Sequence, residues 1–309
     1  MRPSDPHDLS FEAISPDEDF IASQIPEILF RVDVEVSNRQ HLILATKKQL
    51  EPLSKANTSF IDLTFKVVKD PLYQLLSIHA FVESNDDMKQ LPLCFILMSS
   101  KSKRDYKKVC LAVLQHLPAE PVVSSPVANL EAGIWKGLKS VFHDLAIHGC
   151  VLYVTKALWK NIKEKGFLES ICITIPPFLP AEDIAPAFHQ LHQKGSASDD
   201  LVKYMDYVHD NWITSSIWDV TSLNGWHQRI NRRTRKGKLP FYLLILLLYK
   251  DATLLPTQVK MVSEGKLRRY QRKQTIKFHG RLMTLWKSYA EKRISTSQLL
   301  LPSFFEIPN

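Results

Sequence analysis

The first half of the chain alternates between apolar runs of strand length and short polar turns. Three apolar runs cover residues 60–68, 73–83 and 90–98, and the segment between the last two is polar. Runs that are rich in β-branched and aromatic residues and bounded by polar turns predict β-strands. Because the connections are short, we expect the three strands to form an antiparallel meander.

After the meander, the apolar positions change to a spacing of three and four, which predicts helices. Helices are predicted over 105–117 and 130–142, with a strand over 121–128 between them. A further strand (146–152) and a helix (154–165) complete the order βββαβαβα. This order predicts an α/β fold of the ribonuclease-H-like type, in which helices flank a central mixed sheet.

Composition divides the chain into four regions. Residues 1–25 are acidic and contain prolines, which predicts a flexible leader, and residues 26–57 predict a small lead-in element. The ribonuclease-H-like domain, with a helical insertion near its end, is expected to cover residues 58–228. Residues 229–309 predict a basic helical C-terminal region, because from residue 225 to residue 290 aromatic and leucine positions fall on one side of a helix and Lys and Arg on the other.

Positive charge is concentrated in the last region. From Arg229 to Arg293 there are 18 Lys and Arg residues and three acidic residues, a formal charge of +15. The whole chain carries +8, so the remainder carries −7. Such an asymmetry predicts a polyanionic partner, nucleic acid first, although a basic helical surface without a dedicated partner remains the alternative.

Several other classes of protein are disfavoured. The acidic first 25 residues do not resemble a secretory signal, and the longest apolar run, 239–249, is too short to cross a membrane and predicts a core helix. His189 and His192 are three residues apart, which predicts a solvated helix face rather than a metal site. The four cysteines form no Cys-x-x-Cys pair, which predicts a reducing compartment and no zinc site; they are Cys94, Cys110, Cys150 and Cys172.

Asp62 is the first candidate for chemistry, because it lies within the first apolar run. A carboxylate in such a run costs desolvation energy unless a charged group pairs with it. Ribonuclease-H-like nucleases place their first metal ligand on the first strand of a meander in this way. An Asp on the exposed face of an edge strand is the alternative interpretation.

Three blocks of sequence resemble the Mutator-like (MULE) transposase domain, in the same order. The first is FIDLTFKVV at 60–68 with QLLSIHAFV at 74–82. The second is NLEAGIW at 129–135 with HGCVLY at 148–153 and ALW at 157–159; the third is GWHQRINRR at 225–233 with LPFYLL at 239–244. The resemblance runs from about residue 30 to about residue 300.

The resemblance implies a domain that cuts and joins DNA with three carboxylates and Mg²⁺ or Mn²⁺ ions. Hard cations of this kind require anionic oxygen ligands. Asp62 matches the first family Asp, but Asn129 and Asn224 occupy the positions of the family's second Asp and of its Glu. The chain also has Leu63 where the family has Gly, and Tyr153 where it has His.

These substitutions predict a disarmed metal site that retains Asp62 at most. A close charge pair is worth on the order of 4 kcal/mol at an effective dielectric constant of about 20, so two lost charges should weaken metal binding by several kcal/mol. Glu131 follows Asn129 by two residues, and on a helix start it would point away from it. The segment between Tyr153 and Asn224 also looks shortened relative to the family.

The main hypothesis is therefore a degenerate MULE-derived protein that binds DNA without strong sequence preference and does not cleave it. We expect a nuclear location, because residues 232–238 resemble an import signal. We expect no membrane association, and a homo-oligomer is possible. Trp226 and His227 would pack or stack beside the DNA, with Trp226 favoured as a core anchor. The predicted phosphate contacts are Arg229, Arg232, Arg233, Arg235, Lys236, Lys238, Arg268, Arg269, Arg272 and Lys273.

Three alternatives stay open at this point. The first is an active metal-dependent transposase that uses Asp62 and Glu131 with a third acid, for which no motif selects among Asp144, Asp206, Asp210 and Asp219. The second is a protein–protein interaction module built on the same sheet. The third is a decayed gene copy without a function.

Overall fold

A computed structural model describes the chain in two compact units, Met1–Ile147 with Leu223–Arg269, and His148–Ser222 with Tyr270–Asn309. The predicted leader (1–25) and the predicted helix over 154–165, apart from residue 160, lie outside the described residues. The described residues are 30–84, 87–129, 131–143, 145, 147–150, 160, 186, 188–190, 192–193, 199–210, 226–234, 237–267, 280–281, 284–285, 287–289, 291–295 and 298.

The described strands are β1 (Phe30–Val36), β2 (Arg39–Ala45), β3 (Thr58–Thr64), β4 (Gln74–Ser84), β5 (Asp87–Met98), β6 (Ser125–Ala128) and β7 (His148–Gly149). The six strands of the first unit follow one another across the sheet in the order β1-β2-β5-β4-β3-β6. β3 pairs parallel with β6, whereas β3–β4, β4–β5, β5–β2 and β2–β1 are antiparallel pairs. The predicted α/β class with a mixed sheet and an antiparallel meander is confirmed.

The described helices are α1 (Lys47–Ser54), α2 (Lys103–Gln115), α3 (Ala132–Lys139), α4 (Asp199–Val208), α5 (Trp226–Arg233), α6 (Phe241–Thr253) and α7 (Leu255–Ser263). α4 belongs to the second unit and the others to the first. α2 begins two residues before its predicted start, because the Ser102 hydroxyl accepts a hydrogen bond from the Asp105 N–H and the Asp105 carboxylate accepts one from the Ser102 N–H. No described helix has both the length and the apolar character needed to cross a membrane.

The largest differences from the predicted strand boundaries are at the end of β3 and at the start of β6. β3 ends at Thr64 rather than at residue 68, because Val67 and Val68 are buried in the following loop and not in the sheet. β6 begins at Ser125 rather than at residue 121, because the preceding segment bonds to a different part of the chain, with the Val122 N–H donating to the Ser54 carbonyl. Both segments therefore resemble strands in sequence but lie outside the ladder. The first is buried in a loop, and the second bonds to a different part of the chain.

Residues of the predicted lead-in element form two strands of the same sheet. β1 and β2 make a hairpin, and β2 pairs with β5 through Leu42 opposite Leu97 and Leu44 opposite Phe95. Val34 and Val36 of β1 are buried, whereas Asp33 and Glu35 between them are exposed. The hairpin therefore extends the sheet on the side of β5.

The sheet separates two apolar cores. On one face, Ile61 and Leu63 of β3 pack with α1, α2 and α3. On the other face, Leu44 of β2 and Phe95 of β5 pack with α5 and α6. Side chains alternate along a strand, so Phe60, Asp62 and Thr64 belong to the face that α5 and α6 cover. α6, the predicted core helix, is buried on this face.

Helices α2 and α3 approach each other closely at two glycines. A Cβ atom on Gly133 would lie 2.4 Å from the Lys101 carbonyl oxygen, and one on Gly137 would lie 2.6 Å from Tyr106 Cβ. Contacts this short force the neighbouring atoms to move. The two glycines therefore set the distance between the helices.

We expect Gly133→Ala to lower the free energy of unfolding by about 1–3 kcal/mol, because the new methyl group meets backbone and not a flexible side chain. Urea unfolding followed by circular dichroism measures the change. Gly237→Ala is the matched control, since its Cβ would lie at an ordinary 3.6 Å from the Thr234 carbonyl oxygen. Equal stability of the two variants would contradict the close helix contact.

Candidate functional site

Asp62 of β3 lies beside Asn129, the residue that directly follows the neighbouring strand β6. Ile61 pairs with Ala128 in the parallel ladder, so the next residues along the two segments, Asp62 and Asn129, are adjacent near the C-terminal ends of β3 and β6. Both are buried, with 3% and 8% of their surface exposed. Ile61 faces the core under α2 and α3, so the side chain of Asp62, the next residue of β3, belongs to the opposite face of the sheet.

Asp62 is an interior residue of the sheet. β3 lies between β4 and β6, and the Asp62 Oδ1 atom accepts a hydrogen bond of 2.9 Å from the Leu63 N–H. The interpretation of Asp62 as an exposed residue on an edge strand is therefore wrong. Ser77 is its partner in the antiparallel ladder with β4, on the same face of the sheet.

His79 adds an imidazole to this face of the sheet. Its Nε2 atom lies 2.8 Å from the Ser77 Oγ atom, and the two share a hydrogen bond. Burial lowers the pKa of His79 from 6.5 to about 4, because the charged ring would lose its water. Asp62 acts in the opposite direction but is outweighed, so His79 is neutral at neutral pH.

Trp226 covers His79 from the side of the helices. The two ring centroids are 5.1 Å apart in an edge arrangement, and the indole also stacks on Phe95 at 5.6 Å. The indole Nε1–H donates a 3.0 Å hydrogen bond to the Asp251 carboxylate on α6. Trp226 is 4% exposed, which confirms its interpretation as a core anchor. The side chain of His227 is not among those described.

Two of the predicted DNA-binding arginines contact the same buried carboxylate. The Arg233 Nη1 atom forms an ion pair with Asp251 Oδ1, and the Arg229 Nη2 atom lies 3.7 Å from Asp251 Oδ2. The Asp251 side chain is 2% exposed, so an unpaired charge there would be costly. Arg233 therefore stabilises the junction of α5 and α6.

The other predicted DNA-binding residues divide into two groups. Arg232 and Lys238 are exposed, and the Lys238 Nζ atom lies 3.5 Å from the Asp70 carboxylate. The other group lies outside the described residues and comprises Arg235, Lys236, Arg268, Arg269, Arg272 and Lys273. Asn224, the third predicted position of the metal site, also lies outside the described residues.

The described donor set does not fit a pair of Mg²⁺ or Mn²⁺ ions. Asp62 supplies one carboxylate, and the Asn129 Oδ1 atom already accepts a 3.3 Å hydrogen bond from the Glu131 N–H. In the described part of the chain there is no group of three or more His, Cys, Asp or Glu side chains with metal-binding geometry. A two-metal centre needs several anionic oxygens.

The acids proposed for an active site are engaged elsewhere where they are described. The Glu131 carboxylate accepts a 3.1 Å hydrogen bond from the Tyr106 hydroxyl, and Tyr106 belongs to the core on the face opposite Asp62. In the second unit, Asp206 lies 2.9 Å from His192 and Asp210 lies 3.1 Å from His209. Asp144 and Asp219 lie outside the described residues.

Sequence reasoning found Asp62 and Asn129 but missed Ser77, His79 and Asp251. The available signal was weak: Ser77 and His79 are two polar residues at alternate positions of the apolar β4 strand. Asp251 gave no signal, because it lies at the end of a leucine-rich helix. Comparison of the sequence with models of protein families and with curated proteins returned no match.

Proposed function

We propose that this chain is a DNA-binding protein with a ribonuclease-H-like fold, derived from a Mutator-like transposase domain, that does not cleave DNA. The observation that carries the proposal is the adjacent, buried pair of Asp62 and Asn129 on parallel strands. This pair stands where the resemblance implies two catalytic acids. One acid and one amide occupy the two positions.

Strand connectivity supports the finer fold assignment. β3, β4 and β5 form an antiparallel meander, and the chain then crosses over through α2 so that β6 lies parallel to β3. The first acid of a ribonuclease-H-like site belongs on the first strand of the meander, where Asp62 lies. Asn129, at the position of the second acid implied by the resemblance, directly follows the strand that is parallel to it.

The loss of cleavage follows from charge. Two divalent ions stabilise the attacking and leaving oxygens of a phosphodiester only when carboxylates hold them in place. An amide in place of a carboxylate removes one unit of negative charge, worth on the order of 4 kcal/mol per close charge pair at an effective dielectric constant of about 20. Asn224 would remove a second.

DNA binding rests on the basic C-terminal region. Arg232 and Lys238 are exposed, and a phosphate would compete with the exposed Asp70 carboxylate for Lys238; Arg229 keeps 45% of its side chain exposed beside Asp251. Phosphate contacts of this kind carry no sequence information, so the binding is non-specific. The proposal includes a nuclear location and leaves a homo-oligomer open.

Duplex DNA, nicked and blunt, tests both halves of the proposal in one experiment. In the presence of Mn²⁺ we expect the native chain to bind the DNA and to leave its strands intact. Binding should persist near physiological salt and weaken steeply as salt rises, because counterions are released from the phosphates. Fluorescence anisotropy measures binding and denaturing gel electrophoresis measures cleavage.

Matched variants separate the two halves. Arg232→Gln should weaken binding at unchanged stability, whereas Arg233→Gln should lower stability because it breaks the ion pair with Asp251. Cleavage by an Asn129→Asp, Asn224→Glu double variant that Asp62→Ala abolishes would support a disarmed transposase scaffold. Cleavage by the native chain that depends on Asp62 would contradict the loss of activity. Binding that vanishes well below physiological salt would favour the protein–protein module instead.

A further inference from the structure

Two exposed aromatic side chains touch each other at the surface of the first unit. Phe65 is 42% exposed and Tyr73 is 44% exposed. Among the large apolar side chains that are exposed in the described part of the chain, these two are aromatic. Their ring centroids are 5.8 Å apart with an interplanar angle of 83°. Exposed aromatic rings lose hydrophobic stabilisation unless a partner covers them. We refer to Phe65 and Tyr73 as the aromatic pair.

A lysine accompanies the pair. The Lys101 Nζ atom lies 5.9 Å from the centroid of Phe65 and 5.1 Å from that of Tyr73, within the range of cation–π attraction. A hydrogen bond with the Tyr73 side chain raises the pKa of Lys101, so its ammonium group stays charged at neutral pH. The same ammonium group lies 3.9 Å from the Glu131 carboxylate, and 47% of the Lys101 side chain stays exposed. One positive charge is therefore held against two exposed rings.

The topology puts these residues at the same edge of the sheet as the candidate site. Phe65 follows the end of β3, and Tyr73 precedes β4, which runs antiparallel to β3. Lys101 follows the end of β5, whose neighbour β4 starts at the same edge. Asp62 and Asn129 lie at the ends of β3 and β6, at this edge as well. The Tyr73 N–H donates a 2.7 Å hydrogen bond to the Met98 carbonyl, which fixes the approach of the loop.

The exposed charges close in sequence to the pair are mostly positive. Four further exposed cations are close in sequence to the pair or to Lys101, against one exposed acid, Asp70; the cations are Lys66, Lys69, Lys103 and Arg104. Lysine is depleted at the centre of protein–protein interfaces, whereas lysines beside aromatic rings are typical of surfaces that bind single-stranded nucleic acid. The charge therefore favours a polynucleotide over a protein as the partner.

We propose that the aromatic pair and Lys101 bind unpaired bases of single-stranded DNA, with the rings stacking on the bases and the ammonium group facing the phosphates. Every base has a flat face that can stack, so this recognition tolerates any sequence. The inference deepens the proposed DNA binding and rests on it for the class of partner. It assigns a contact that the basic C-terminal region does not supply.

The test compares two labelled probes by fluorescence anisotropy at about 0.15 M salt. One is a single-stranded oligothymidylate of about 16 nucleotides, and the other is a blunt duplex of the same length. We expect Phe65→Ser and Tyr73→Ser each to weaken binding of the single strand by about tenfold. Duplex binding should change by less than about twofold, because paired bases cannot stack on the rings.

Val122→Ser is the matched control, because Val122 is 58% exposed and precedes the other end of β6. Phe65→Tyr and Tyr73→Phe keep the rings and should bind the single strand as the native chain does. Ultraviolet crosslinking of the native chain to the oligothymidylate, read by mass spectrometry, needs no variant and should locate the adduct on Phe65 or Tyr73. It decides the matter if a serine variant fails to fold.

Each outcome separates this inference from the proposed function. Native binding of the duplex without binding of the single strand overturns the inference alone. The inference is also overturned if Phe65→Ser and Tyr73→Ser bind the single strand as tightly as the native chain does. It is overturned as well if Val122→Ser weakens single-strand binding as much as they do. Failure of the native chain to bind either probe overturns the proposed DNA binding together with the inference. A crosslink confined to residues outside the aromatic pair also rejects it.

Discussion

Trp226→Ala is expected to lower the free energy of unfolding by about 3–5 kcal/mol, the usual cost of removing a buried aromatic side chain. Trp226 is almost completely buried between β4, β5 and α6, where it contacts His79 and Phe95. The substitution would leave a cavity and remove the hydrogen bond that Asp251 accepts from the indole. Urea unfolding followed by circular dichroism at neutral pH measures the loss.

Trp226→Phe is the control, because it keeps an aromatic ring and removes only the N–H donor and part of the volume. We expect a smaller loss, about 1–2 kcal/mol, since Arg233 still pairs with Asp251. DNA affinity should be unchanged in this variant. A stable Trp226→Ala protein with weakened DNA binding would show that Trp226 contacts bases rather than the core.

Acidification is expected to destabilise the chain through His79. The pKa of His79 is lowered from 6.5 to about 4 in the folded chain, so the unfolded chain binds the proton first as the pH falls. The stability contribution is complete above pH 6.5, declines between pH 6.5 and 4, and is absent below pH 4. A shift of this size corresponds to about 3 kcal/mol.

Urea unfolding at several pH values between 7 and 4 measures this slope. His79→Gln removes the titrating group and should flatten the dependence in that range. His41 is a useful second position: burial lowers its pKa too, although its contact with Asp105 opposes the shift. Because His41 is a separate group, His41→Gln should leave in place the part of the pH dependence of stability that comes from His79. An unchanged slope in His79→Gln would contradict the burial of a neutral imidazole.

Local sequence pattern was enough to predict the meander and the crossover strand. The runs at β3, β4 and β5 are continuous because both faces of these strands are covered, by α1 to α3 on one side and by α5 and α6 on the other. The pattern did not distinguish ladder residues from other buried residues, so Val67 and Val68 were predicted as strand. Burial alone gives the same sequence signal in a packed loop.

The candidate site was predictable only where neighbouring strands define it. Asp62 lies in one recognisable strand and Asn129 directly follows another, and the resemblance marked both positions. Asp251 comes from α6 and meets Trp226 and Arg233 across a helix–helix contact, for which the sequence carries no periodic signal. The residues predicted to contact DNA therefore included Arg233, because its ion pair with Asp251 forms only in the folded chain and cannot be read from the sequence.

The first unit is built from two stretches of chain, Met1–Ile147 and Leu223–Arg269, and this governs how it can fold during synthesis. When the ribosome has made only the first stretch, Leu44, Phe95 and the rest of their apolar face have no helix to cover them. That face must wait for α5 and α6. The nascent chain therefore spends the synthesis of residues 148–222 with one side of its sheet open, which is the interval in which chaperones would be needed most.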